Sequence, residues 1–395
     1  MNPRFANRMA YVKPNAIGEL LRHGAEPGII SFGGGYPDAT LFPREQLNHV
    51  YRLAIAEHGL DSLQYTVSTG MPRLRSQIAE RLTRDCFACS SDQVLILQGS
   101  QQGLDLAAKL FVDRGDVIIT ENPTFLGALI AFNPCEPRYA AVRMDDDGMD
   151  MEDLERTLQL NPGAKLLYTV PDFQNPTGVT MSPPRRKRLM ELANRFDLIV
   201  LEDTPYREIR YHGEPLPTLK SLDTEGRVIH LGSFSKILAP GMRLGWAVAS
   251  REIIDQLDLL KLAADTQCSS LNMCAAALFL DSYDIDLHIA AIRQTYRRKR
   301  DLMLESIRRS FPQDVRFTEP NGGMFTWLTF PDGFDTARFM VEQALPKARV
   351  AYVPGATFFP VRQEPNHARL NYTSQSDEMI VTGIESLGLL LKQHL

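Results

Sequence analysis

The stretch LGSFSKILAPGMRLGW, Leu231–Trp246, places a lysine between two serines and an arginine. The run that leads into it, Arg227-Val-Ile-His-Leu231, is typical of a strand. A Pro240-Gly241 pair then interrupts the chain, and Arg243 stands before another glycine. The pattern predicts a lysine held at the end of a strand, with hydroxyl groups and a guanidinium beside it.

Short apolar runs alternate with helical patterns from about residue 90 onward. Strands are predicted at Gln93–Leu97, Asp116–Thr120, Lys165–Val170, Leu198–Leu201, Val228–Leu231 and Leu244–Ala249. Helices are predicted at Gln102–Phe111, Thr124–Ala131 and Arg185–Arg195. This alternation is typical of an α/β fold with a mostly parallel sheet covered on both faces. Such sheets bind ligands at the carboxyl ends of their strands.

The tail has a different organisation. A long charged helix is predicted at Leu287–Arg309, followed by short strands and a closing helix from about Ser376, which together indicate a smaller α+β domain. The predicted strands lie near Met324–Phe330, Val350–Tyr352 and Ala368–Asn371. We therefore expect an N-terminal segment at residues 1–45 that packs with the small domain, a large domain at 46–285 and the small domain at 286–395.

Composition excludes several function classes. The 395 residues are 44% hydrophobic with a net charge of −5, and the charges are scattered without a basic stripe for nucleic acid or membrane. The apolar runs are too short to span a bilayer, and the N-terminus lacks the apolar core of a signal peptide. Five unpatterned cysteines predict reduced thiols in a cytoplasmic protein and no metal site.

Polar and aromatic side chains follow the predicted strands. They are Ser100, Gln101, Phe125, Asn175, Asp203, Tyr206, Ser233, Ser235, Lys236 and Arg243. Each has a purely structural alternative: Gly-Ser-Gln as a helix cap, Asn-Pro-Thr-Gly as a turn, and Phe125 as core. Together they describe a site for an anionic, aromatic, carbonyl-bearing cofactor. A helix N-terminus at Ser100 would bind a phosphate, and Lys236 would form an imine.

This set resembles the pyridoxal-phosphate aminotransferases of fold type I, class I/II, over nearly the whole chain. The motif S-F-S-K-x-x-x-P-G-x-R-x-G is specific, and Asn175-Pro-Thr-Gly178 precedes it at the family's spacing. The nearest branch is the α-aminoadipate, kynurenine and branched-chain type. Its supporting matches are Ile30-Ser-Phe-Gly-Gly-Gly35-Tyr-Pro37, Leu63-Gln-Tyr65, Asn321-Gly-Gly-Met-Phe325 and Ala368-Arg369-Leu-Asn371.

The resemblance implies a role for each residue. Lys236 would form the internal aldimine with pyridoxal 5'-phosphate and carry the proton in ping-pong transamination, and Asp203 would pair with the ring nitrogen. Asn175 and Tyr206 would hydrogen-bond the 3' oxygen, and Phe125 would stack on the ring. The phosphate ligands would be Ser100, Gln101, Ser233, Ser235 and Arg243.

Three further residues concern substrate and assembly. Arg369 resembles the arginine that binds the substrate α-carboxylate, with Gly35 and Asn175 beside it, since a guanidinium forms two parallel bonds to a carboxylate. Tyr65 resembles the tyrosine that reaches the phosphate across a dimer interface, which implies a homodimer with shared sites. The structural alternatives are a surface ion pair for Arg369 and a locally packed ring for Tyr65.

The segment Asn15-Ala-Ile-Gly18-Glu19 departs from the family pattern. Relatives that act on acidic side chains carry arginine where this chain has Gly18. We therefore expect an apolar or aromatic L-amino acid, or a broad range of donors, with a 2-oxoacid such as 2-oxoglutarate as acceptor. The alternatives are a lyase or decarboxylase on the same cofactor, a non-catalytic regulator-like module, and a binding protein without a cofactor.

Overall fold

The structure is a computed structural model that describes residues 4–12 and 26–395. Its main sheet has eight strands in the spatial order β2-β9-β8-β7-β6-β3-β4-β5. The strands are β2 Val94–Leu97, β3 Val117–Asn122, β4 Arg138–Asp145, β5 Gly148–Met149, β6 Leu166–Thr169, β7 Ile199–Asp203, β8 Val228–Ser233 and β9 Gly245–Val248, and β1 is Ile30–Ser31. The pairs between β3, β4, β6, β7 and β8 are parallel, which confirms the predicted α/β class.

The strand β9 is antiparallel to both of its neighbours, β2 and β8. The end of β2 and the start of β9 therefore lie at the same edge of the sheet as the carboxyl ends of the parallel strands. The sequence predicted β9 but not its direction. It also missed β4, whose apolar residues are interrupted by charges and mostly only partly buried, and the two-residue strand β5.

Helices cover both faces of the main sheet. They are α1 Arg44–Ala56, α2 Gly59–Ser62, α3 Pro72–Asp85, α4 Ser100–Phe111, α5 Leu126–Phe132, α6 Met151–Leu160, α7 Pro183–Arg195, α8 Arg251–Asp265 and α9 Ser270–Ser282. In β2, Val94 and Ile96 pack into the core on one face, and Leu95 and Leu97 pack into the core on the other. Burial on both faces explains why this strand is apolar throughout.

A second, four-stranded antiparallel sheet has the order β10-β11-β14-β13. The remaining strands are β10 Arg316–Phe317, β11 Phe325–Thr329, β12 Val350–Ala351, β13 Val353–Pro354 and β14 His367–Asn371, and β1 pairs with β12 in parallel. The remaining helices are α10 Ile285–Ser310, α11 Thr336–Phe339 and α12 Asp377–His394, with a π-helical segment at Met340–Ala348. Across the described residues, no helix has the length and apolarity needed to cross a membrane.

Candidate active site

A cavity of about 290 Å³ lies where the carboxyl ends of the parallel strands meet the four-stranded sheet. Twelve residues that the sequence singled out line it: Gly35, Ser100, Gln101, Phe125, Asn175, Asp203, Tyr206, Ser233, Ser235, Lys236, Arg243 and Arg369. The loops after β2, β3, β6, β7 and β8 bring most of them to this edge. Arg243 precedes its strand and still reaches the cavity, because β9 runs in the opposite direction.

Lys236 follows the end of β8 and directs its amine toward the N-terminal segment. Its Nζ donates a 2.8 Å hydrogen bond to the carbonyl oxygen of Gly35. Burial, together with the charges of Arg369 and Arg243, lowers the pKa of Lys236 to about 8. At pH 7 about one amine in ten is therefore unprotonated and nucleophilic, far more than for a free lysine.

Asp203 is the last residue of β7 and is buried, with 2% of its surface exposed. Its Oδ2 accepts a 3.1 Å hydrogen bond from the hydroxyl of Tyr168, while its Oδ1 is buried and has no hydrogen-bond partner. Burial raises the pKa of Asp203 to about 7, and the bond from Tyr168 opposes that rise. The free oxygen is an acceptor that a protonated ring nitrogen in the cavity would satisfy.

The side-chain amide of Asn175 joins two other residues of the cavity. It donates a 3.1 Å hydrogen bond to the Tyr206 hydroxyl and accepts a 2.8 Å bond from Arg369 Nη1. Burial raises the pKa of Tyr206 to about 12, so its hydroxyl stays protonated at neutral pH and can donate.

Arg369 is a buried cation on β14, with 5% of its surface exposed. Its Nη2 donates a 2.7 Å bond to the carbonyl oxygen of Gly33, and the guanidinium stacks 4.2 Å from the ring centre of Phe325. Its Nε is buried without a partner. Burial lowers the pKa of Arg369 to about 10, so the guanidinium is still charged at neutral pH. No carboxylate pairs with it among the described residues, so its charge is available for an anion.

The N-terminus of α4 forms the opposite end of the cavity. Gly99 precedes the helix with φ +72°, and a Cβ there would lie 2.8 Å from Arg243 Nη2. Glycine thus lets Arg243 approach the free backbone amides of the first turn. Ser233 and Ser235 add hydroxyl groups beside this end, so it has the donors and positive charge that bind a phosphate.

Phe125 forms one wall of the cavity. Its ring lies against the backbone of Gly127, where a Cβ would come within 2.4 Å of Phe125 Cζ. The Gln101 amide donates a 2.7 Å bond to the Gly127 carbonyl and so connects the first turn of α5 to the phosphate end.

Tyr65 lies outside this cavity. Tyr65 is 80% exposed and does not reach the phosphate end of the cavity in its own chain. The segment that contains Gly18 lies outside the described residues.

The sequence did not single out several residues of the site. The cavity is also lined by Leu126, Ile130, Val170 and Phe358, and Tyr168 supports Asp203 from β6. A tyrosine inside the apolar run Leu166–Thr169 was a usable signal, because a buried hydroxyl needs a partner. Phe358 ends a short 3-10 helix at Gly355–Phe358 whose packing depends on distant elements, so no local pattern identified it.

These residues fit pyridoxal 5'-phosphate. The unpartnered Asp203 Oδ1 suits a ring nitrogen, the α4 terminus suits a phosphate, and Lys236 lines the same cavity. Within residues 4–12 and 26–395, no cluster of histidine, cysteine and acidic residues could hold a metal ion.

Comparison with known proteins identifies the family. Residues 36–387 match the family model described as aminotransferase class I and II. The chain is 40% identical to aromatic-amino-acid aminotransferase 1 of Thermococcus litoralis, over 99% of this chain and 94% of that protein.

Two solved structures are similar over nearly their whole length. Kynurenine aminotransferase of Pyrococcus horikoshii, solved with PMP, has a TM-score of 0.95 at 40% identity and covers 99% of this chain and 97% of its own. The α-aminoadipate aminotransferase LysN of Thermus thermophilus, complexed with N-(5'-phosphopyridoxyl)-L-leucine, has a TM-score of 0.91 at 36% identity, covering 98% and 97%. This chain therefore belongs to the class I and II aminotransferases and is a pyridoxal-phosphate-dependent transaminase of fold type I.

Proposed function

We propose that the enzyme transfers the amino group of an apolar or aromatic L-amino acid to a 2-oxoacid such as 2-oxoglutarate. The observation that carries the proposal is the distribution of charge in the cavity. Its cations, among the described residues, are Lys236, Arg243 and Arg369, and Arg243 lies at the phosphate end. Arg369 is then left for the α-carboxylate, and the substrate side chain meets an apolar wall.

That wall consists of Phe125, Leu126, Ile130 and Phe358. Burial against this wall stabilises an apolar side chain. A second carboxylate would lose its hydration there, and no further cation lines the wall to compensate. Two relatives are named for aromatic amino acids and for kynurenine, which supports this class. LysN is named for α-aminoadipate, an acidic donor, and was solved with a leucine adduct.

Different residues of the cavity would bind different parts of the cofactor. When bound, pyridoxal phosphate supplies the carbonyl that takes up the amino group and a ring that withdraws electrons. We propose that Ser100, Gln101, Ser233, Ser235 and Arg243 hold the phosphate, and that Asp203 Oδ1 keeps a proton on the ring nitrogen. Phe125 packs against the ring face, and Asn175 and Tyr206 bind the 3' oxygen.

The substrate is held by a second set of contacts. Arg369 binds its carboxylate through the guanidinium, with the Asn175 amide and the backbone of Gly35 beside it. With the amino acid so oriented, the unprotonated Lys236 Nζ takes the proton from Cα, which is general base catalysis at a pKa close to the working pH.

We also propose that two chains complete each site. The segment around Tyr65 and one face of α8 expose apolar side chains that soluble monomers usually bury. These are Leu60, Leu63, Tyr65, Val67, Leu259 and Leu262. The two elements are in contact, since Ser68 Oγ donates a 2.9 Å bond to Asp258 Oδ2. A homodimer through this surface would bury it and bring Tyr65 to the partner's phosphate.

The division into residues 1–45, 46–285 and 286–395 is part of this proposal. Ile30–Ser31 pairs with β12, which supports packing of the N-terminal segment against the small domain. Helix α10 crosses the boundary: Ile285 and Ile289 lie in the core of the large sheet, and Met303 and Ile307 in that of the small sheet.

The five free cysteines support a reducing, cytoplasmic location.

A spectrophotometric screen tests the proposed substrate class. Each amino acid is added to the cofactor-loaded enzyme, and the absorbance of the pyridoxamine form is recorded. We expect phenylalanine, tyrosine, kynurenine and leucine to convert the enzyme faster than glutamate or aminoadipate, and 2-oxoglutarate to reverse the change. Preference for aminoadipate would contradict the proposed donor. Product formation without a stable, reversible pyridoxamine form would favour a lyase or decarboxylase.

A further inference from the structure

Two loops that follow neighbouring strands form facing parts of the active site. The strand β3 ends at Asn122, and its loop leads through Pro123 to Phe125, while the loop after β6 contains Asn175-Pro176. The strands β3 and β6 are parallel neighbours, with Thr120 opposite Tyr168. The distance between these loops therefore sets the distance between the Phe125 ring and the Asn175 amide.

Gln174 joins the two loops and uses its whole hydrogen-bonding capacity to do so. It is fully buried, and its Nε2 donates 2.9 Å bonds to Glu121 Oε2 and to the Pro123 carbonyl oxygen. Its Oε1 accepts bonds from the backbone N and the hydroxyl of Thr177, at 2.9 and 2.7 Å. Both amide hydrogens and both lone pairs are thus occupied, which fixes the side chain in one orientation.

Glu121 is the second half of this link. It is 1% exposed and has no ion-pair partner in the described part of the chain. Its Oε1 accepts a 2.6 Å bond from the Thr169 hydroxyl and a 3.2 Å bond from the Val170 N–H, while Oε2 faces Gln174. All three neighbours are donors, so only a group that accepts at both oxygens satisfies them together.

We propose that Glu121 and Gln174 are positioning residues. They fix the distance between Asn175, which binds the cofactor's 3' oxygen, and Phe125, which packs against the cofactor ring. The inference rests on the proposed roles of Phe125 and Asn175. Neither Glu121 nor Gln174 lines the cavity, so they act through the loops. A buried carboxylate without a cation is costly, and a purely apolar contact would fill the same volume without that cost.

The test compares the apoprotein's affinity for pyridoxamine 5'-phosphate and for the same compound lacking the 3-hydroxyl group. The ratio of the two dissociation constants reports the contact of Asn175 and Tyr206 with the 3' oxygen alone. We expect a wild-type ratio of roughly tenfold, as for one hydrogen bond. The ratio should fall toward one in both single variants. Glu121→Gln puts an amide NH2 group opposite hydrogen-bond donors, and Gln174→Glu puts a second carboxylate opposite Glu121.

The exchanged double variant, Glu121→Gln with Gln174→Glu, provides the rescue. In this variant the amide at position 121 donates to the carboxylate at position 174. A carboxylate oxygen still faces the Pro123 carbonyl, so the ratio should recover only in part and exceed that of both single variants. The matched control is Glu202→Gln, a buried carboxylate on β7 that contacts His230 and does not line the cavity. It should lower thermal stability and keep the wild-type ratio.

Three outcomes would overturn the inference: single variants with the wild-type ratio, an exchanged variant that does not exceed both single variants, or an equal loss in Glu202→Gln. If the Gln174→Glu protein does not fold, Gln174→Met removes the same bonds without adding charge and should also lower the ratio. Failure of the wild-type apoprotein to bind pyridoxamine 5'-phosphate would instead refute the proposed function.

Discussion

Arg369 donates a 2.8 Å hydrogen bond to the Asn175 side chain and thereby joins the four-stranded sheet to the eight-stranded sheet inside the active site. Arg369 lies on β14, and Asn175 lies in the loop after β6. The substrate carboxylate would bind where the two sheets meet, so any relative movement of the sheets changes its binding site directly.

Replacing Arg369 tests the carboxylate site. We expect Arg369→Lys to lower kcat/KM by roughly 10- to 100-fold, chiefly through KM, because lysine cannot form two parallel bonds to a carboxylate. Steady-state kinetics with phenylalanine and 2-oxoglutarate measure the change. The control is Arg362→Lys, an exposed arginine outside the cavity, which should behave as wild type. An unchanged KM in Arg369→Lys would place the carboxylate elsewhere.

Asp203→Asn tests the pairing with the ring nitrogen. The amide keeps the volume and the bond from Tyr168 but removes the negative charge, so the half-reaction with an amino acid should slow on the order of 100-fold or more. Stopped-flow absorbance measures the rate, and a thermal unfolding scan of the same sample monitors the fold. A variant that loses its fold, or one that reacts at the wild-type rate, would each argue against this role.

The pKa of Lys236 predicts how its reactivity depends on pH. Because the pKa is lowered to about 8, the neutral amine becomes half populated there, whereas a free lysine reaches that point near pH 10.4. Acetylation of the apoprotein at Lys236 should therefore rise about tenfold per pH unit below pH 8 and level off above it. Mass spectrometry of the peptide, with N-acetyl-lysine amide in the same mixture as reference, measures the profile. A midpoint near that of the reference would show that the cavity leaves the amine unperturbed.

Charge on the exposed face of α8 tests the dimer. Leu259→Arg places a cation in the proposed interface, so sedimentation velocity should show a shift toward the monomer and cofactor affinity should fall with it. Leu389→Arg is the matched control, because Leu389 is similarly exposed on α12, away from this surface. Tyr65→Phe should keep the dimer and weaken phosphate binding alone. A wild-type sedimentation profile for Leu259→Arg would move the interface elsewhere.

The sequence predicted the residues whose positions follow from strand direction. Asp203, Lys236 and Ser100 come after apolar strands, and parallel strands bring such positions to one edge. It could not predict that Tyr168 would support Asp203, or that Glu121 would meet Gln174, because these contacts join side chains about 35 and 53 residues apart through the register of neighbouring strands. The strand β4 was missed because its charged residues interrupt the apolar pattern, and β5, Gly148–Met149, is too short to form a pattern.

The antiparallel strand β9 also sets which part of the chain must be present before the phosphate end of the cavity can form. Strand β2 lies at the edge of the sheet and pairs with β9 alone, with Val94 opposite Val248 and Leu97 opposite Gly245. A chain that extends only as far as β8 therefore lacks Arg243, and it also lacks the strand that pairs with β2 and so holds Ser100 in place. The phosphate end of the cavity is therefore complete only once β9 has paired with both β2 and β8.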